Sequence, residues 1–486
     1  MPRQLLMGID VGTSGVKVVA YDLELRPLAS ARRPIVTSHP RPGWVEQDAR
    51  AVLAAVVDAV EEVLGVDGEV IACGLDHQGE SVVGWDAATG EPLGPIIVWQ
   101  DQRGAEVLAR LTEAQLDEVA TRSGLPPDAY FSAAAMGWLM TDRGLAPGPG
   151  LRLGTLDAFL SDRLGAGFAT DVSTASRTQL SGVVGTGDDG WDTRLLELFG
   201  VPLECLPSIG DTTGDLGELR HPNWRQPLPL RARVVDQQAS LAGTGCVLPG
   251  RAKATYGTGV FVLVHTGDHS VSGLHGAGLL PTVAWRIAGR TSGALDGGVF
   301  SAGSMLGWLA HDLGLAQDVP ALVALAESVP DAAGVRILPA LGGLGAPWWR
   351  AGARGVIAGL SADTRPAHLA RAALDAIAQR VADIVRAADV VVRIEDLRID
   401  GGLTRAPGFA VRQATMLGRP VWRTDADATA RGAAALAAVG GGVLQRIEDI
   451  DPLLPPFERV DPQPGAEALD PEAWMRFVER AAGLLD

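Results

Sequence analysis

Residues 231–245 read RARVVDQQASLAGTG, and Asp236 stands where a β-branched run meets a small-residue stretch able to open a helix. A carboxylate there has two uses. It can accept the unpaired N–H groups of a helix's first turn, or it can act as a general base, being ionised at neutral pH. These residues alone leave both readings open. Two further stretches, GTSG at 12–15 and GTG at 257–259, are turns between β-rich arms. Glycine lacks a Cβ, so the N–H groups and hydroxyls of Gly12, Thr13, Ser14, Gly257 and Thr258 can close on phosphate oxygens. Plain hairpin turns are the competing reading, and neither stretch is a Walker motif, which needs GxxxxGK[ST] before a helix. Asp10, two residues before the first turn, suits a magnesium ion held through water, because Mg2+ combines one or two carboxylates with phosphate oxygens. His265 and His269 are four apart, but the intervening TGD reads as loop, which argues against a metal pair.

The elements that must carry these residues follow from periodicity. LLMGIDVGTSGVKVVAYD and ATYGTGVFVLVHTG (254–267) read as two hairpins of the same kind, about half the chain apart. Helical spacing covers 49–64, 303–315, 321–328 and 368–388, and LRID at 397–400 reads as a strand closed by Gly401 and Gly402. A proline-interrupted loop is expected around 452–456. Paired hairpins imply two related α/β domains, placed at 1–244 and 245–486, clamping a nucleotide between them.

Composition limits the alternatives. At 486 residues, 47% of them apolar, the chain is too long for one ordinary core and rich enough in apolar residues for two. A net charge of −17 without a basic block argues against nucleic acid and anionic membranes as partners. Cys73, Cys205 and Cys246 are an odd, scattered set, which suits a reduced, cytoplasmic setting. The opening MPRQLLMGIDVG breaks its apolar run too early for a signal peptide, and no apolar run is long enough to span a bilayer.

Nine stretches, in order, resemble the FGGY carbohydrate kinases, of the actin-like (ribonuclease H-like) ATPase fold, and among them are most similar to the glycerol kinases. They are MGIDVGTSGVKVV, PGWVEQD (42–48), IIVWQDQR (96–103), GLPPDAYFSA (124–133), TASRT (174–178), VVDQQASL, KATYGTGVF, LGGLGAPWW (341–349) and DGG (400–402). The stretch 355–375 fits the family's second signature. This resemblance implies transfer of the γ-phosphoryl group of ATP, with Mg2+, to a hydroxyl of a small polyol or sugar in a cleft between two domains. It implies Asp236 as the base, Asp10 and Asp236 at the metal through water, and Thr13 and Lys17 near the phosphates. It places Thr258 and Gly303 in the nucleotide site and Gly402 near the adenosine. Glu80 and Gln237 would bind acceptor hydroxyls, and Trp99, Tyr130 and Phe261 would wall the acceptor. A homodimer is what the family suggests.

Departures from that pattern bear on the acceptor. Glycerol kinases read NQRE where this chain reads His77-Gln78-Gly79-Glu80. Gly79 removes a charged donor, and the space it leaves is expected to cost glycerol affinity or to admit a C4–C5 polyol or ketopentose such as erythritol, xylulose or ribulose. His77 is expected to be a loop side chain. Ala135 replaces a family lysine, while Gly307 and Ala406 replace Gln and Asn near the nucleotide. Glycerol is the leading acceptor, and a non-catalytic nucleotide sensor is the reading from another class.

Overall fold

A computed structural model describes residues 2–182, 190–268, 278–350, 352–406, 408–424, 428–464 and 469–484. The apolar start forms strand β1 (Gln4–Gly12), which turns through Thr13 and Ser14 into β2 (Gly15–Tyr21), with Gly12 opposite Gly15. β3 (Pro27–Pro34) extends this antiparallel meander. Helix α1 (Ala49–Val63) follows, its N-terminus capped by Asp48, whose side chain accepts from the Arg50 N–H at 2.9 Å. The chain then returns as β4 (Glu69–His77), parallel to β1. Strands β5 (Glu218–Leu219) and β6 (Leu228–Val235) complete a six-stranded sheet in the order β5-β6-β4-β1-β2-β3. Alternate residues of β1 serve opposite cores: Leu5, Met7, Ile9 and Val11 pack with α1, whereas Leu6 packs on the other face.

The second half repeats the plan. The hairpin β7 (Arg251–Tyr256) and β8 (Val260–Gly267) sits beside the hairpin β9 (Leu280–Ile287) and β10 (Arg290–Val299). With β11 (Asp396–Gly401), β12 (Val421–Arg423) and β13 (Glu458–Val460) they form a seven-stranded sheet in the order β9-β10-β8-β7-β11-β12-β13. In each sheet the first hairpin strand lies centrally with a parallel strand on its outer side, β4 beside β1 and β11 beside β7. This is the duplicated α/β architecture of the actin-like fold.

Helices fix the two sheets in place. α2 (Asp236–Gly243) leaves the end of β6, and α3 (Pro366–Asp389) buries an apolar face in the second core. α4 (Ala428–Gly440), although late in sequence, packs on the first sheet with Leu6, Ala72 and Val234. A Cβ at Gly8 or Gly74 would overlap the backbone oxygens of Ala430 or Ala433, and one at Gly243 or Gly432 would overlap those of Ala428 or Ala239. Small residues thus let α4 lie directly against β1, β4 and α2.

One helix differs from expectation. The 303–315 stretch forms a short α-helix, Gly303–Gly307, that passes into a π-helical turn, Trp308–Asp312. Glycine weakens an α-helix interior, and π turns occur where the regular ladder is interrupted. Pro452 lies inside a 3-10 helix, Ile447–Leu453, rather than in an open loop. No helix among the described residues is long and apolar enough to cross a membrane.

Candidate active site

Three neighbouring parallel strands end together, so their C-terminal residues converge. Asp10 of β1 lies opposite Asp76 of β4, and Val235 of β6 lies opposite His77. Asp236 follows Val235 immediately, as the first residue of α2. The N-cap position belongs to Val235 and no side chain caps the helix, so the capping role weighed for Asp236 is not taken up. α2 is held by its backbone-close contact with α4, which fixes where this carboxylate sits.

Burial raises the proton affinity of all three carboxyls. Burial pushes Asp10 up to about 6, and the charge of Asp236 adds to that, while a hydrogen bond from Asp76 and the charge of Lys17 oppose it. Asp76 is pushed well above the carboxylate range by burial and then by Asp10. Its oxygens meet no N–H or O–H donor, so its contact with Asp10 becomes a hydrogen bond only when it carries a proton itself. Burial also raises Asp236, countered by the charges of Lys253 and His77. Among the described residues no group of three or more His, Cys, Asp or Glu side chains is placed to hold a metal ion directly.

Around these carboxyls the first glycine/threonine turn is tied down on two sides. Gln47 Nε2 donates to Thr13 O at 2.8 Å and is itself a partner of Gln78, whose Nε2 donates to Gln47 Oε1 at 2.8 Å. Trp99 Nε1 donates to Thr13 Oγ1 at 3.0 Å. Ser14 O accepts from the Ile35 N–H at 3.1 Å. Lys17 faces Asp10 across the hairpin, and burial, with Arg32 nearby, lowers its ammonium to about 8.

The second turn meets the helix at 303. The Gly303 N–H donates to Gly257 O at 3.1 Å, and the Ser304 N–H donates to Thr258 O at 3.0 Å. A Cβ at Gly303 would stand 2.5 Å from Gly257 O, so this contact requires glycine. Gly307 and Gly402 both border open space. Gly401 lies against Tyr256 on the neighbouring strand, and the Ala406 N–H donates to Leu403 O at 3.1 Å.

The acceptor-side residues come from five segments that the fold brings together. Trp99 meets Tyr130 and Phe261 edge-on, with ring centroids 5.7 and 6.2 Å apart. Glu80 takes a left-handed backbone (φ 59°), a conformation that a non-glycine residue holds only where its surroundings enforce it. Its Oε1 accepts from Arg177 Nε at 2.7 Å. Gln237 Oε1 accepts from the buried Lys253 Nζ at 2.6 Å.

Several expectations change. Beside Gly79 the expected space is bounded on one side: a Cβ there would stand 2.9 Å from Val235 Cγ1. His77 is no loop side chain. It ends β4 fully buried, its Nε2 3.0 Å from Thr174 Oγ1 and its Nδ1 3.0 Å from Gln78 O. Ala135 lies inside a buried helix, Ser132–Thr141, packed with Val82, Ile97 and Val107. His265 is buried beside Trp285, while His269 lies outside the described residues. All three cysteines are free and buried.

Sequence reasoning missed four charged residues of this region: Asp76, Arg177, Lys253 and Asp296. Three of them carried a signal. Each is a charge set among apolar or small residues within a strand, in CGLDH, AKATY and GALDGG. Such a charge must find a partner inside the fold, since an unpaired one is costly to bury.

Two family models cover most of the chain: the N-terminal domain of the FGGY family of carbohydrate kinases matches residues 5–243, and its C-terminal domain matches 252–441. A glycerol kinase of Geobacter sp. (strain M21) is 40% identical over 456 residues, with 91% of each chain covered. One from Gloeobacter violaceus is 39% identical, covering 98% of this chain and 96% of that one. Among solved structures, Plasmodium falciparum glycerol kinase with ADP superposes with a TM-score of 0.87 at 27% identity, covering 99% of this chain and 98% of the other. A gluconate kinase from Lactobacillus acidophilus shares the fold at the same TM-score, with 19% identity.

Proposed function

The chain belongs to the FGGY family of carbohydrate kinases, and from that premise we propose that it phosphorylates glycerol with ATP, giving glycerol 3-phosphate and ADP. The observation that carries this reading is the junction of two sites through one side chain. Trp99 walls the acceptor pocket with Tyr130 and Phe261, and the same indole donates to Thr13 in the phosphate turn. An acceptor hydroxyl held there lies between Asp236 and a bound triphosphate.

In this reading the acceptor oxygen attacks the γ-phosphorus, the bond to the β–γ bridging oxygen breaks, and the hydroxyl proton passes to Asp236. Lys253 holds Gln237 by its side-chain carbonyl and offsets the cost of ionising Asp236. Glu80 and Gln237 orient the acceptor, and Trp99 and Phe261 cover its carbon face. Gly12, Thr13, Ser14, Lys17, Gly257, Thr258 and Gly303 receive the phosphates, and Gly307, Gly401, Gly402 and Ala406 border the adenosine. The mutually repelling Asp10, Asp76 and Asp236 fit a divalent cation, with Asp10 and Asp236 holding it through water. When bound, Mg2+ would neutralise charge on the phosphates. A cytoplasmic setting and a homodimer complete the reading.

Val235 narrows the space beside Gly79 on one side, which favours glycerol over the C4–C5 acceptors. Coupled ADP release from the purified protein with glycerol, erythritol, xylitol, ribulose, xylulose and gluconate tests the proposal. Glycerol should give the highest kcat/KM; no acceptor raising turnover above the ATP-only rate would sink it. Asp236→Asn should lower kcat by about 10²–10⁴-fold, and full turnover in that variant would remove Asp236 from the role of base.

A further inference from the structure

Arg177 comes from the TASRT segment of the first half, and Asp296 from β10 in the second. Both are almost completely buried. Three contacts hold the guanidinium: Arg177 Nε donates to Glu80 Oε1 at 2.7 Å, and Arg177 Nη2 lies 3.4 Å from Tyr130 Oη and 3.0 Å from Asp296 Oδ2. One polar atom on each side is left over. Arg177 Nη1 and Asp296 Oδ1 are buried with no hydrogen-bond partner. One is an unused charged donor and the other an unused charged acceptor, on groups already paired with each other. A hydroxyl supplies both complements, accepting from the guanidinium and donating to the carboxylate.

We propose that Arg177 and Asp296 form the subsite for the acceptor's far hydroxyl, the one distant from Asp236, and so replace the charged donor absent at Gly79. This rests on the polyol kinase reading. Glu80, which bonds Arg177, ties the subsite to the acceptor pocket, and Tyr130 and Phe131 flank the guanidinium with ring centroids 5.8 and 5.6 Å from Cζ. Because its two members come from opposite halves, the subsite exists only where the halves meet. It reads a hydroxyl by charge on both sides, a design that rejects analogues lacking that hydroxyl because both buried groups are then left unpaired.

The test compares glycerol with 1,2-propanediol, which keeps a primary hydroxyl and its neighbour but lacks the far one. Wild type should favour glycerol by at least about tenfold in kcat/KM, the size of one charged hydrogen bond. In Arg177→Gln and in Asp296→Asn that preference should fall to within about threefold, with KM for ATP unchanged, and Arg177→Lys should recover part of it. An equal loss on both acceptors, with the preference intact, would overturn the subsite and leave Arg177 a packing residue. Should Arg177→Gln fail to fold, the near-isosteric Asp296→Asn decides alone. If wild type ignores glycerol but turns over another polyol of the panel, the glycerol reading fails by itself, and the same comparison is made with that polyol and its terminal deoxy analogue. If no polyol is turned over, both fall.

Discussion

Glu80 combines a left-handed backbone, near-complete burial and a guanidinium partner. Burial raises its carboxyl to about 6; the charge of Arg177 opposes that rise, and Asp236 and Asp296 add to it. An acceptor hydroxyl needs the ionised form, so KM for glycerol should rise as pH falls through about 6. The stability contribution of Glu80 runs the other way. Its folded pKa is raised, so the stabilisation present below the unfolded value is lost as pH rises through about 6. Protonation of Glu80 in this window therefore costs acceptor binding without itself destabilising the fold. Asp296→Asn removes one of the charges that raise Glu80, so the acid limb of kcat/KM should move to lower pH. An unmoved or upward-shifted limb would assign it to another group. Asp236 was legible at this scale because its strand-to-helix junction is written in contiguous residues. The pairing of Arg177 with Asp296 was not, although Asp296 stands out in its small-residue strand, since the chain brings the two together from 119 positions apart.

Helix α2 carries Asp236, and its place is set by backbone contact rather than by interlocking side chains. A methyl group on Gly432 would overlap Ala239 O, so α4 must move for Gly432→Ala to fit. Overpacking of this kind costs about 1–3 kcal/mol. Urea unfolding should show that loss, and kcat should fall with it because α2 moves too. Unchanged stability would mean the two helices have slack. A second contrast lies at the nucleotide turn. Gly303→Ala puts a Cβ 2.5 Å from Gly257 O, whereas Gly307→Ala points into open space. Gly303→Ala should therefore raise KM for ATP far more than Gly307→Ala, and equal effects would refute the assigned geometry. Both hairpins were legible from their glycine/threonine turns and β-branched arms. The interrupted helix at 303–312 was not, because apolar spacing alone does not separate an α turn from a π turn.

Taken as a whole, the two halves repeat one sheet plan, which the pair of similar hairpins announced. What no local pattern announced is where α4 goes. Its run of alanines has no strong amphipathic stripe, yet it supplies one face of the first core, with Ala430, Ala433, Ala434 and Leu436 against Leu6, Ala72 and Val234. The halves are also joined by polar contacts. Gln238 Nε2 donates to Val283 O at 3.1 Å, and Arg286 Nε donates to Asp211 Oδ1 at 2.7 Å. A fragment ending at residue 244 keeps every strand of the first sheet but loses the helix that covers one side of it. That side is an apolar face too large to leave in water without association. The 1–244 fragment should therefore aggregate or show no cooperative thermal transition by circular dichroism, although it is long enough for a domain of its own. Full-length protein should unfold in one transition on which both halves report. A soluble 1–244 fragment with a cooperative transition of its own would show that α4 is dispensable to the first core, and that the fold is two domains joined rather than one structure built from both ends of the chain.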